Sequence, residues 1–245
     1  MRLSILFPSV LIAFSACVPL TETTQPKSRP QSVIPVQTTA SLESQQVAAY
    51  YAKVQDRLLS KGRLRQELEP NDALFTATDL VENFERVALF DEYSVRGGQF
   101  VERQTASSLR RWERPVRIGL NFGPSVSEEQ RKKDTAYVRS FSARLARISG
   151  LDIQMTDAKR ANFSILFLNK DEQKSHAPNL LGHVNYLVPQ IMDEIKTSPR
   201  GIFCAAYAVS DVNSLSGYKG AVILIKAEHK DLMRKSCIQE EMTQA

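Results

Sequence analysis

Apolar residues recur along this chain with two periods, and the switches between them mark its elements. Val47, Tyr50, Tyr51, Val54 and Leu58 fall at helical spacing, and Gly62 breaks the run. Glu69-Pro70-Asn71-Asp72 reads as a turn and helix start, and Leu80, Phe84, Val87 and Ala88 form a second apolar stripe. Residues 41–92 are therefore predicted helical. Such stripes are core or partner-packing faces, and helix pairs of this kind can mediate association. Tyr93, Val95, Phe100 and Val101 flank Gly97-Gly98, the pattern of a short hairpin.

From Arg114 the pattern changes again. Arg114 to Phe122 alternates apolar and polar residues and predicts a strand. Ser125 with Glu128 has the spacing of a capping box opening a long helix, with Tyr137, Phe141, Leu145 and Ile148 as its buried stripe and Gly150 just past its end. Leu151–Met155, Ala161–Leu168, Ile202–Val209 and Ala221–Ala227 read as strands, the last two joined by a Ser/Gly-rich turn over Ser214–Gly220. Residues 169–198 are mixed, with a helix over Val188–Lys196, and Asp231–Ala245 reads as a helix. Strands and helices around one sheet place residues 110–245 in the α+β class, preceded by a helical region with a small hairpin over 41–109.

The first residues carry an address. Arg2 precedes an apolar run, Leu3–Phe14, of the length of a signal-peptide core and too short to span a bilayer. It ends in Phe14-Ser15-Ala16-Cys17, which resembles a bacterial lipobox, although Leu is more usual where Phe14 stands. The expectation is a signal peptide over 1–16 and lipidation of Cys17, each buried methylene of the anchor adding about 0.8 kcal/mol of membrane affinity. Val18 is not the Asp that argues for inner-membrane retention, so an outer-membrane anchor facing the periplasm is expected. Residues 17–40, rich in Pro, Thr, Ser and Gln, read as a disordered tether.

The formal charge of +5 is mild for an exported chain and does not point to nucleic acid. It is unevenly spread. Residues 96–160 hold 14 Lys or Arg against 7 Asp or Glu, whereas residues 41–95 hold 6 against 10. A basic face of this kind fits anionic lipid or an anionic envelope polymer. With Cys17 lipidated, Cys204 and Cys237 remain, and in an oxidising compartment they are expected to form a disulfide closing a loop of about 34 residues.

Signatures of catalysis are sparse. There is no Gly-rich phosphate loop and no nucleophile elbow. His176 and His183 fall in the irregular segment and His229 beside a helix start, where surface exposure is expected for all three, and their spacing makes no metal site. The last helix carries Glu240, Glu241 and Gln244. In a zinc-protease helix of the form His-Glu-x-x-His, the two His bind zinc and the Glu acts as base. Here Glu240 and Gln244 stand in the ligand positions and Glu241 in the position of the base. An amide is a poor zinc ligand, so no tight zinc site and no cofactor are expected, and any metal would be a hard divalent ion.

Arg111-Trp112, Ala161-Asn162, Cys204 and the block Cys237-Ile238-Gln239-Glu240-Glu241-Met242-Thr243-Gln244-Ala245 resemble domain-of-unknown-function family 2927, over about residues 110–245. These are bacterial exported proteins and lipoproteins. The resemblance implies a zincin-like body with a degenerate active helix and no established activity. Family members usually continue past Gln-Ala with a Leu-Gly-Leu turn and an acidic tail, whereas this sequence ends at Ala245. That predicts a frayed C-terminus and an exposed apolar sheet edge. The leading expectation is a lipid-anchored, non-catalytic binding or scaffold protein. One alternative is an atypical metal-dependent hydrolase with Glu241 as base, Glu240 as ligand and help from His183. Another is an envelope structural protein holding anionic lipid or peptidoglycan through residues 96–160.

Overall fold

The computed structural model describes residues 39–64, 74–97, 99–211, 213–214 and 216–245. The expected signal sequence, Cys17, most of the expected tether and the turn expected over Glu69–Asp72 lie outside the described residues. Among the described residues, none forms a helix long and apolar enough to cross a membrane.

The mixed α+β class is borne out. Two helices, α1 (Leu42–Ser60) and α2 (Ala77–Ala88), come first, followed by an antiparallel hairpin of β1 (Phe90–Arg96) and β2 (Gln99–Ala106). The hairpin turns at Gly97, whose φ of 57° favours glycine. The predicted helical stretch thus ends earlier than residue 92: β-branched and aromatic residues from Phe90 onward pair with β2 instead.

The body is a five-stranded sheet. Its strands are β3 (Val116–Phe122), β4 (Ile153–Met155), β5 (Phe163–Leu168), β6 (Cys204–Ser210) and β7 (Tyr218–Lys226), in the order β4-β3-β5-β7-β6. All pairs are parallel except β6 against β7. Central parallel strands are covered on both faces and so read as unbroken apolar runs rather than alternating ones. Every residue of β5, Phe-Ser-Ile-Leu-Phe-Leu, is buried. One face packs Ile118, Ile165 and Ile223 against Val138 of α3 (Glu128–Ser149) and Ile238 and Met242 of α7 (Asp231–Gln244). The other packs Leu166, Leu168 and Leu224 against α4 (Lys170–Ser175), α5 (Ala177–Leu181) and α6 (Pro189–Thr197), through Leu181, Ile191 and Ile195 among others. The Tyr186 ring lies over Gly220, and its hydroxyl donates to the Ala221 carbonyl at 3.1 Å, so any side chain at position 220 would collide with the ring.

Four sequence expectations are corrected. The cap of α3 is Ser127, whose hydroxyl accepts from Gln130 N at 3.2 Å; Ser125 instead gives its N–H and hydroxyl to Glu172 of α4, at 2.8 and 2.7 Å. The buried line of α3 is Asp134, Val138 and Ser142, flanked by half-buried Tyr137, Phe141 and Leu145, and Ile148 is 69% exposed. The end of the chain is ordered by contacts: Met242 is buried and Trp112 Nε1 donates to the Ala245 carbonyl at 2.8 Å. The free edges of the sheet, β4 and β6, are mostly half-buried rather than open apolar surface. Gly150 ends α3 in the left-handed conformation as expected, with φ of 72°.

α1 lies across the carboxyl ends of β5 and β7. Ser44, Tyr51 and Val54 are buried, Ser44 Oγ donates to Asp171 of α4 at 2.7 Å, and Tyr51 OH donates to the Arg200 carbonyl at 3.1 Å. α2 is different in kind: it is amphipathic, and none of its residues is buried.

Candidate functional site

α7 carries the residues singled out from the sequence. Lys230 offers no side-chain cap at its start, and Gln55 Oε1 of α1 accepts from Met233 N at 3.1 Å in its place. Arg234, 4% exposed, is fixed by two charge-assisted bonds to Asp134 of α3, at 2.6 and 2.9 Å, and lies 5.1 Å over the Phe167 ring. One turn on, Cys237 forms the expected disulfide with Cys204 at the start of β6, with a Cα separation of 5.8 Å. α7 is thus held to α1, α3 and β6 at three levels.

Cys237 and Glu241 are four apart, so the bridge turns Glu241 toward β6 as well. The Glu240 and Glu241 carboxylates and Cys204 Sγ lie within 4.8 Å of one another, a ligand-like group among the described residues. Glu241 is 5% exposed, whereas Glu240 and Gln244 face outward. Burial, and then the charges of Glu240 and Glu92, push the Glu241 carboxyl up to about 8. The surroundings are acidic: the Tyr93 hydroxyl is raised by burial and then by Glu102, Glu92, Glu194 and Glu241, and Tyr207 of β6 is raised by burial, Glu194, Glu241 and Tyr93. These carboxylates come from the hairpin, α6 and α7, which are far apart in sequence, so no local motif announces them.

The donor set is poor for zinc: Cys204 sulfur is spent on the disulfide, which leaves two carboxyl groups and an amide. The histidines are engaged elsewhere. His183 Nε2 contacts the Ala158 carbonyl at 2.9 Å, and His176 Nδ1 the Ser175 hydroxyl at 2.7 Å. His229, expected to be exposed, is 1% exposed: it lies 4.1 Å from the Tyr51 ring, pairs Nε2 with the Phe203 carbonyl at 2.8 Å, and burial lowers it to about 4. The cover that α1 lays over it is what the sequence alone did not reveal.

Beside His229 sits a buried polar group that sequence reading missed. Lys226 Nζ donates to the Pro199 carbonyl at 2.5 Å, and burial lowers it to about 8. Glu228, raised by burial, accepts from Lys170 N at 2.5 Å. A lysine closing an apolar strand looks like a solvent-facing terminus, and only the Ser198 and Pro199 carbonyls folded over it give it a place in the core.

The family model described as Protein of unknown function (DUF2927) matches residues 77–245. The chain belongs to this family. The DUF2927 match begins at the first residue of α2 and therefore takes in α2 and the hairpin, beyond the 110–245 segment that carried the resemblance. α1, which covers His229 and caps α7, precedes it. No curated protein and no solved structure matches the chain.

Proposed function

We propose that this DUF2927 protein is an exported, lipid-anchored component of the bacterial envelope. It is attached through Cys17, faces the periplasm from the outer membrane, and acts by binding rather than by catalysis on a pseudo-zincin body. The observation that carries the non-catalytic reading is the donor set on α7: a disulfide holds the one sulfur, and only carboxyl and amide groups remain. Support for binding comes from α2, whose apolar residues Leu80, Phe84 and Val87 are 55, 56 and 68% exposed. The test is metal content by mass spectrometry on the purified full chain, with titration by calcium, manganese and zinc and a peptidase and peptidoglycan-hydrolase assay. The expected result is neither stoichiometric metal nor turnover. Bound metal and hydrolysis, both lost in Glu240→Ala, would refute the proposal in favour of the hydrolase.

A second reading has an observation of its own. Lys132, Arg139 and Arg147 are exposed along one side of α3, spaced near two turns apart. This row suits an anionic lipid surface or envelope polymer, and salt-sensitive co-sedimentation with peptidoglycan sacculi, lost in the triple alanine variant, would establish it.

A further inference from the structure

A cavity of about 680 Å³ lies at the amino end of the sheet, away from the acidic face of α7. Its wall combines the last turns of α3 and α7 with the 107–113 segment, and Val87 at the end of α2 also lines it. The size is in the range of small-molecule sites, roughly 300–1,000 Å³. Its apolar wall includes Trp112, Leu145, Phe163 and Met242. Trp112 is held there by its bond to the Ala245 carbonyl and by ring contacts with Phe163 and Tyr218 at 5.9 and 5.6 Å. The apolar part of this wall offers an alkyl chain a surface to bury against.

The charges on the wall are unequal. Asp91 is paired with Arg110 at 3.4 Å, and Arg110 also donates to Ser107 at 3.0 Å. Glu113 accepts from the Ser216 and Ser214 hydroxyls, both at 2.8 Å, and these bonds, with Arg111 beside it, hold its carboxyl below the usual range. Arg111 makes one loose contact, Nε to Glu113 at 3.7 Å, and its side chain is 74% exposed. A guanidinium carries five donors in a fork that matches a carboxylate or phosphate. The α2 stripe of Leu80, Phe84 and Val87 leads along an exposed apolar track to this cavity.

From apolar wall, track and open fork together, we infer that the cavity binds a single-chain anionic amphiphile, its tail against Trp112 and Phe163 and its head on Arg111. This deepens the binding-protein reading proposed above and rests on it. The amphiphile is a free one, like a fatty acid, and the vesicle arm of the experiment tests for a bilayer lipid in its place.

Trp112 is the chain's single tryptophan, so its emission reports on this cavity alone. The full chain carrying Cys17→Ser, purified without detergent, is titrated with sodium dodecanoate below its micelle concentration, with dodecanol, and with vesicles of phosphatidylglycerol or phosphatidylcholine. The expected result is a saturable shift of Trp112 emission by dodecanoate, roughly tenfold tighter than by dodecanol, with that preference lost in Arg111→Ala. Ile153→Phe, which fills the cavity, removes the response while the thermal transition is kept; Ser149→Phe on the wall serves if that variant fails to fold. No saturable shift with any free amphiphile overturns the inference, as does a response to vesicles alone. Equal affinity for acid and alcohol in both proteins overturns the assignment of the head to Arg111. Metal-dependent hydrolysis with dodecanoate binding intact would refute the non-catalytic reading alone, and failure here without metal or hydrolysis would refute this inference alone.

Discussion

Glu241 and His229 are buried ionisable groups shifted in opposite senses, and each gives stability a pH dependence of its own sign. The Glu241 carboxyl is raised from 4.5 to about 8. Its contribution is therefore fully present below pH 4.5 and is lost as pH rises through 8, because only the unfolded chain ionises in that interval. His229 is lowered from 6.5 to about 4, so its contribution is present above pH 6.5 and is lost as pH falls through 4. The two slopes oppose each other between 4.5 and 6.5, and above 6.5 the decline belongs to Glu241. Glu241→Gln is expected to flatten urea-unfolding stability between pH 6.5 and 8 and to gain on the order of 2 kcal/mol at pH 8. Wild-type and variant profiles that stay parallel would remove Glu241 as the cause. The Asp134–Arg234 pair makes a sharper case. Both side chains are 4% exposed, so Asp134→Ala strands a buried guanidinium and should cost about 3 to 5 kcal/mol in the same assay. Adding Arg234→Met should recover part of that loss.

Among elements, α7 is the one whose position depends most on distant partners. Its first turn is capped from α1, its middle is paired to α3, and its Cys237 is bridged to β6. The bridge spans 33 residues of sequence, and loss of that constraint on the unfolded chain in Cys204→Ser/Cys237→Ser should cost about 3 to 4 kcal/mol of unfolding free energy. A loss below about 1 kcal/mol would mean the fold holds α7 against β6 without the covalent link. Gln55→Ala, which strips the cap, should cost about 0.5 to 2 kcal/mol by the same measure. α3 shows how far apolar spacing reaches. Its extent and its glycine end were readable, but its buried line runs through Asp134 and Ser142, polar residues that an apolar pattern cannot mark. Asp134 is buried because Arg234 meets it, and Ser142 because its hydroxyl donates to the Val138 carbonyl at 2.6 Å.

At the scale of the whole molecule, the body presents surfaces of different character. The β6–α7 face is acidic, α3 carries a basic row, and α2 leaves an apolar stripe outside the core. If Cys17 is the attachment point proposed above, these surfaces are what the envelope meets. The proposed anchor has a direct test: Cys17→Ser should move the chain from the membrane fraction to the soluble periplasmic extract and abolish incorporation of labelled palmitate. A variant still in the membrane fraction would place attachment elsewhere, with the α2 stripe the first region to alter.

The sequence by itself determined the order of strands and helices, the glycine that ends α3, the pairing of Cys204 with Cys237 and the poverty of ligands on α7. Each of these depends on residue type and near-neighbour spacing: the period of apolar positions, the freedom of glycine, two cysteines left to each other, and amide and carboxyl groups in place of imidazoles. Tertiary structure alone decided the rest. It made Glu241 a buried acid, placed His229 under Tyr51, joined Asp134 to Arg234 across 100 residues, capped α7 from 178 residues away, and left α2 without a place in the core. Those outcomes turn on desolvation and on contacts between segments remote in sequence, and neither is set by a residue's neighbours along the chain.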